Sequence, residues 1–157
     1  MGMESFFVKI VVSNDESKSN EVFNNSLIEY LNAGKFKTKK IPRFVLIDDL
    51  IEMEVIDNSN FYEIALVGCF SCFSVSCNLI NDLTNTLFMH YSILSVNISG
   101  KEVALSKCDF TEILYEEYRE KYQWFKANLT DKTFNASPST FYKKLKRTKR
   151  WLPWRRE

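Results

Sequence analysis

FYEIALVGCFSCFSVSCNLINDLTNTLF, residues 61–88, is the most apolar stretch of the chain and holds three of its four cysteines. Ile64, Ala65, Leu66 and Val67 run without a polar break, as in a strand covered on both faces. Val75, Leu79, Leu83 and Leu87 then recur every four residues, as on a helix. A buried strand feeding a helix is the seed of a core, and the rest of the chain is arranged around it.

On the N-terminal side, SFFVKIVVS (5–13) alternates Phe6, Val8, Ile10 and Val12 with Phe7, Lys9 and Val11, the two-residue period of a strand with one strongly apolar face. Asn14 to Ser19 is a polar loop. From Ser19 onward Phe23, Leu27, Tyr30 and Leu31 keep helical spacing up to Gly34, which is expected to close the helix in a left-handed cap. KFKTKKIPRFVLI (35–47) reads as one strand interrupted at Pro42, whose missing N–H implies an edge or a bulge. Past Asp48-Asp49, Ile51, Met53 and Val55 alternate with Glu52 and Glu54 in a return strand. The first unit is β-α-β-β.

On the other side, HYSILSVNIS (90–99), a turn at Ser99-Gly100 and KEVALS (101–106) complete a second β-α-β-β unit. Phe6, Phe7 and Val12 match Phe61, Tyr62 and Val67 at an offset of 55. Phe23, Leu27 and Leu31 match Leu79, Leu83 and Leu87 at an offset of 56. Internal duplication and shared periodicity both account for these matches. Two such units bury their apolar sides by building a mixed or antiparallel sheet with helices packed on it, an α+β fold.

Asp109 opens a long helix, about 109–129, with Glu112 in the capping-box position and an aromatic stripe of Tyr115, Tyr118, Tyr122, Phe125 and Leu129 that reads as packing surface. A polar connector ends at Ser137-Pro138, a helix-start signal. A basic C-terminal helix follows, stopped by Pro153. The expected organisation is a single domain over 1–138 and a basic tail over 139–157. A chain of 157 residues, 45% hydrophobic and 26% charged, suffices for one packed core.

Charge is the strongest functional signal. Lys143, Lys144, Lys146, Arg147, Lys149, Arg150, Arg155 and Arg156 put eight of the 21 basic residues at the C-terminus, with Glu157 as the tail's only acid among 20, so residues 1–142 keep 13 basic and 19 acidic residues, a net −6. Trp151 and Trp154 sit among the cations. An acidic body carrying a basic aromatic tail speaks of partners rather than of fold. The tail can dock on its own body, bind nucleic-acid backbone with aromatic stacking, meet an acidic protein or, the least favoured of the four, lie on a membrane surface with tryptophan at the headgroup level. The acids Asp48, Asp49, Glu52 and Glu54 are the matching candidate contact for a basic protein.

Conventional catalytic machinery is thin. Four glycines, at positions 2, 34, 68 and 100, form no phosphate-binding loop, and His90 is the single histidine. Cys69-Phe70-Ser71-Cys72 has the strand-to-helix setting of a redox pair, but its spacer lacks the turn-forming Gly-Pro and no following proline is placed to face it. Cys69, Cys72 and Cys77 read as reduced, unligated thiols, with Cys69 buried. No cofactor, metal or catalytic residue is assigned. No apolar run is long enough to span a bilayer, and the N-terminus has no basic n-region. A reducing cytoplasm is the expected compartment, and no oligomeric state is assigned. The functional expectation is a non-enzymatic binding protein, such as an immunity-type inhibitor of a basic, nuclease-like toxin. An RNA- or single-stranded-DNA-binding module using the tail is the alternative.

Overall fold

The computed structural model describes residues 5–14, 19–104 and 109–128. They form β1 (Ser5–Ser13), α1 (Asn20–Ala33), β2 (Thr38–Ile41), β3 (Phe44–Ile47), β4 (Ile51–Asp57), β5 (Phe61–Cys69), one 3₁₀ turn (Phe70–Cys72), α2 (Phe73–His90), β6 (Ile93–Ile98), β7 (Lys101–Val103) and α3 (Phe110–Asn128). The strands make a seven-stranded sheet in the order β2-β3-β4-β5-β1-β6-β7, with every neighbouring pair antiparallel. The fold is α+β.

The sheet is centred on β1 and β5, which pair over their whole length from Ser5↔Cys69 to Ser13↔Phe61. Because neighbours alternate in direction, β5 and β6 run parallel on either side of β1, and β1 and β4 run parallel on either side of β5. Two split β-α-β units therefore interlock, with α1 and α2 as their crossovers.

All three helices lie on one face. Phe23 of α1 stacks on Tyr62 at 3.9 Å, Phe73 of α2 meets the Phe6 ring edge-on at 4.9 Å, and Tyr118 of α3 lies 5.5 Å from the same ring. On the strands around it the residues in phase with Phe6 follow it into this core, among them Val8, Ile10, Val12, Tyr62, Ile64, Leu66, Met53, Val96 and Ile98. Full burial of such side chains stabilises by about 1.5–3 kcal/mol each. Where the β1–β6 ladder ends at Val8↔Ile98, the Tyr118 hydroxyl takes over. It donates to the Phe7 carbonyl (2.8 Å) and accepts from the Phe7 N–H (3.3 Å), which fastens α3 to the central strand. Asp109 caps α3 by accepting from Thr111 N–H, and Asn81 of α2 accepts from Phe110 N–H.

Several expectations change. Residues 35–47 are not one strand: Pro42 and Arg43 form a two-residue turn between β2 and β3, where Ile41 pairs with Phe44. The fixed φ of proline suits a turn as well as an edge, so the first unit carries one strand more than the second. Gly34 does end α1, its N–H bonding the Tyr30 and Leu31 carbonyls, but at φ −81° rather than in a left-handed cap. A Cβ there would lie 3.3 Å from the Leu31 oxygen.

The buried face of α2 is Phe73, Cys77, Ile80, Leu83 and Leu87, while Val75 is 58% exposed. A stripe repeating every four residues drifts about 40° per step on a 3.6-residue helix, so its first member falls off the face. The internal correspondence in the strands also sits at 56, not 55. Buried Phe6, Val8 and Ile10 match buried Tyr62, Ile64 and Leu66, whereas the 55 offset pairs residues on opposite faces.

Candidate functional site

Among the described residues β5 is covered by helices on one face only, whereas its apolar run led to the expectation of cover on both. Its burial alternates residue by residue, and no helix among the described residues lies on the side of Phe61, Glu63, Ala65, Val67 and Cys69. β1 contributes Phe7, Lys9 and Val11 to this open face, since Phe7↔Val67, Lys9↔Ala65 and Val11↔Glu63 are register partners. An apolar strip of Phe7, Val11, Ala65 and Val67 therefore runs along the middle of a half-buried surface. Lys9 and Glu63 bridge across it at 2.8 Å. Such a partly solvated pair contributes no more than about 1 kcal/mol.

The acidic residues singled out in the sequence divide between two roles. Glu52 and Glu54 project from β4 onto the open face, beside Val67 and Ala65. They stand two residues apart on one side of the strand, about 6–7 Å along it. Glu63 lies diagonally from Glu54, within the roughly 7–8 Å span of such neighbours. Glu102 of β7 shares the face through its pairing with Asn97, which itself opposes Lys9. Acids thus outnumber the bases Lys9 and Lys39 among the described residues of this surface.

Asp48 and Asp49 form the β3–β4 turn, with φ of 49° and 59° and Leu50 N–H donating to the Ile47 carbonyl at 2.9 Å. Both signs match a type I′ hairpin. The Asp48 carboxylate accepts from Lys37 N–H at 2.9 Å while Asp48 N–H donates to the Lys37 carbonyl at 2.8 Å, so this acid ties the turn to the α1–β2 connection. Asp49 is exposed at the tip. Asp48, Asp49, Lys37, Thr38 and Lys39 rim a shallow groove floored by Leu46, which is 1% exposed although it is in phase with the open face. Of the set, Glu54 and Asp49 are exposed, Glu52 is half-buried on the open face and Asp48 is engaged in structure.

Cys77 is fully buried in α2, and burial pushes its thiol pKa up to about 12. Cys69 is only half-buried. It is the last residue of β5, on the open face, and accepts a hydrogen bond from the Ser71 hydroxyl at 3.1 Å. The expectation that it is buried came from treating β5 as covered on both sides. Cys72 is also half-buried, and all three described cysteines are free. Among the described residues no three His, Cys, Asp or Glu side chains converge as an ion site. His90 ends α2 with its ring 4.0 Å from that of Tyr30.

The basic set Lys143, Lys144, Lys146, Arg147, Lys149, Arg150, Trp151, Trp154, Arg155 and Arg156 lies outside the described residues. Glu63, Lys9, Phe7 and Val67 are surface residues that sequence reasoning did not assign to a site. The signal was present in Lys9 and Glu63, each a charge inside an apolar strand. No described helix is long and apolar enough to cross a membrane. No protein-family model, curated protein or solved structure matches the chain.

Proposed function

We propose that this is a non-enzymatic binding protein of the cytoplasm that engages a basic protein through the open face of its sheet, in the manner of an immunity-type inhibitor neutralising a nuclease-like toxin. The observation that carries the reading is the placement of Glu52 and Glu54 beside the apolar strip Phe7, Val11, Ala65 and Val67 on a face that no described helix covers. An apolar centre with a charged margin is the anatomy of a protein contact, and a broad sheet surface matches a partner's surface better than a small molecule's. The acid excess would speed encounter with a cationic partner and discriminate against acidic ones.

The test uses the full chain as bait in extracts of its source cells, beside the double charge reversal Glu52→Lys/Glu54→Lys. A basic protein retained by the first bait and lost from the second supports the proposal. Retention of the same partner by both baits refutes it, as does recovery of nucleic acid alone, and the second result moves function to the basic tail.

A further inference from the structure

We infer that the open sheet face is the docking site of the chain's own C-terminal segment, residues 139–157, which covers it when no partner is bound. An antiparallel sheet can leave one face to water, and then that face is ordinarily polar. Here the centre of the face is Phe7, Val11, Ala65 and Val67, with Phe61 at the end of the same row. The charged side chains beside it are the bridged pair Lys9–Glu63, which neutralise each other across the strip, and the acids Glu52 and Glu54 on the neighbouring strand β4. A surface of this kind calls for an occupant that is both apolar and cationic. Residues 139–157 carry Phe141, Leu145, Trp151, Leu152 and Trp154 among eight lysines and arginines, with a single acid at the last position.

The path of the chain brings the segment to the right end of the sheet. Lys121 of α3 donates to the Ser5 carbonyl at 3.1 Å and holds its ammonium 5.4 Å from the centre of the Phe70 ring, which Phe125 also meets at 5.9 Å. The last turns of α3 therefore lie at the end of the β1–β5 pair, where Ser5 and Cys69 are partners. Residues 129–138 then separate the helix from the segment. Ten residues can span at most about 33–36 Å, against about 10 Å for the two strand spacings from β1 to β4.

The other acidic surface of the described body is the outer side of α3. Glu116 and Glu120 there are interspersed with Arg119, and Glu117 is paired with Lys101 at 2.9 Å. It offers charge and one exposed aromatic, Trp124, but no apolar strip, because Tyr118 and Phe125 are in the core and Tyr115 and Tyr122 pack against it. The sheet face offers both.

The inference depends on the proposed partner contact only for its consequence, which is that a basic partner using Glu52 and Glu54 must displace the tail and binds with an affinity reduced by the fraction of chains that are open. Docking itself is tested on the isolated full chain at micromolar concentration with a zero-length carbodiimide, mapping amide links in the monomer fraction. Links from Lys143, Lys144, Lys146 or Lys149 to Glu52 or Glu54, falling several-fold in 0.5 M salt, are expected. In parallel, reversing the four charges Lys143, Lys144, Lys146 and Arg147 to Glu should raise hydroxyl-radical labelling of Phe7 and Phe61 at least two-fold. Tail links confined to Glu112, Glu116 and Glu120, links only between copies, or no tail links at all would overturn the inference. Because no partner is present, none of these outcomes bears on whether one binds.

Discussion

Gly68→Ala would add a single methyl group where the core has no room for one. Gly68 is the register partner of Phe6, and a Cβ built on it lies 2.5 Å from Cζ and 2.6 Å from Cε1 of the Phe6 ring. Ordinary carbon contacts are about 3.5–4.0 Å, so the ring must retreat by about an ångström or the strands must part. The ring has nowhere to go. It is fully buried, with the rings of Phe70, Phe73 and Tyr118 at 5.5, 4.9 and 5.5 Å. Overpacking of this sort costs about 1–3 kcal/mol, set against a gain of about 0.4–1 kcal/mol from replacing a glycine in a compatible backbone. The clash wins, leaving a net loss of roughly 1–2 kcal/mol and a Tm lowered by about 2–8 °C for a chain of this size. Thermal melting followed by circular dichroism measures it, and the double variant with Phe6→Leu should recover at least about 0.5 kcal/mol through direct coupling. A Gly68→Ala protein that melts at or above the parent temperature would show that the Phe6 ring does not lie against Gly68, and the placement of α2 and α3 on that ring would fall with it.

Leu27 and Leu83 stand at equivalent places in the two units, at 0% and 1% exposure, and truncation of either to Ala should cost roughly 2–5 kcal/mol by denaturant melting; an unchanged midpoint for either would mean the helix face is misassigned. Cys77 loses its proton at about 9.0 in the unfolded chain and near 12 in the fold, so the stability it contributes is whole below pH 9 and drains away as pH rises from 9 to 12, by at most about 1.4 kcal/mol per pH unit. Burial raises the Tyr118 pKa in the same sense, and Cys77→Ala should flatten the alkaline fall of Tm without abolishing it; an identical slope in the variant would contradict the burial of that thiol. Asp49→Gly relieves a left-handed aspartate at φ 59° and should raise stability by up to about 1 kcal/mol, whereas Asp48→Gly should lower it, because it also removes the carboxylate that accepts from Lys37 N–H. Equal responses at the two positions would show that the Lys37 contact carries no weight.

The amino-acid sequence by itself determined the elements and their apolar faces where the periodicity was strong. The strict alternation of Phe6, Val8, Ile10 and Val12, the Phe23–Leu27–Leu31 spacing and the Asp109 start each depend on neighbours in the chain, and each appears in the structure. Local chemistry also determined the two tight turns at Asp48-Asp49 and Ser99-Gly100, since few residues accept positive φ. Tertiary structure alone decided three things. The first is strand order: β1 and β5 become partners 56 residues apart because their identical alternation lets both bury the same side against the helices. The second is the state of β5, whose unbroken apolar run is compatible with one covered face or two until the helices have chosen a side. The third is the candidate site itself. Glu52, Glu54, Glu63, Lys9, Phe7 and Val67 come from three strands, and only hydrogen-bonded register sets which of them stand together. A one-residue slip would send all of them to the opposite face, and no local pattern in the chain records which register the packed core selects.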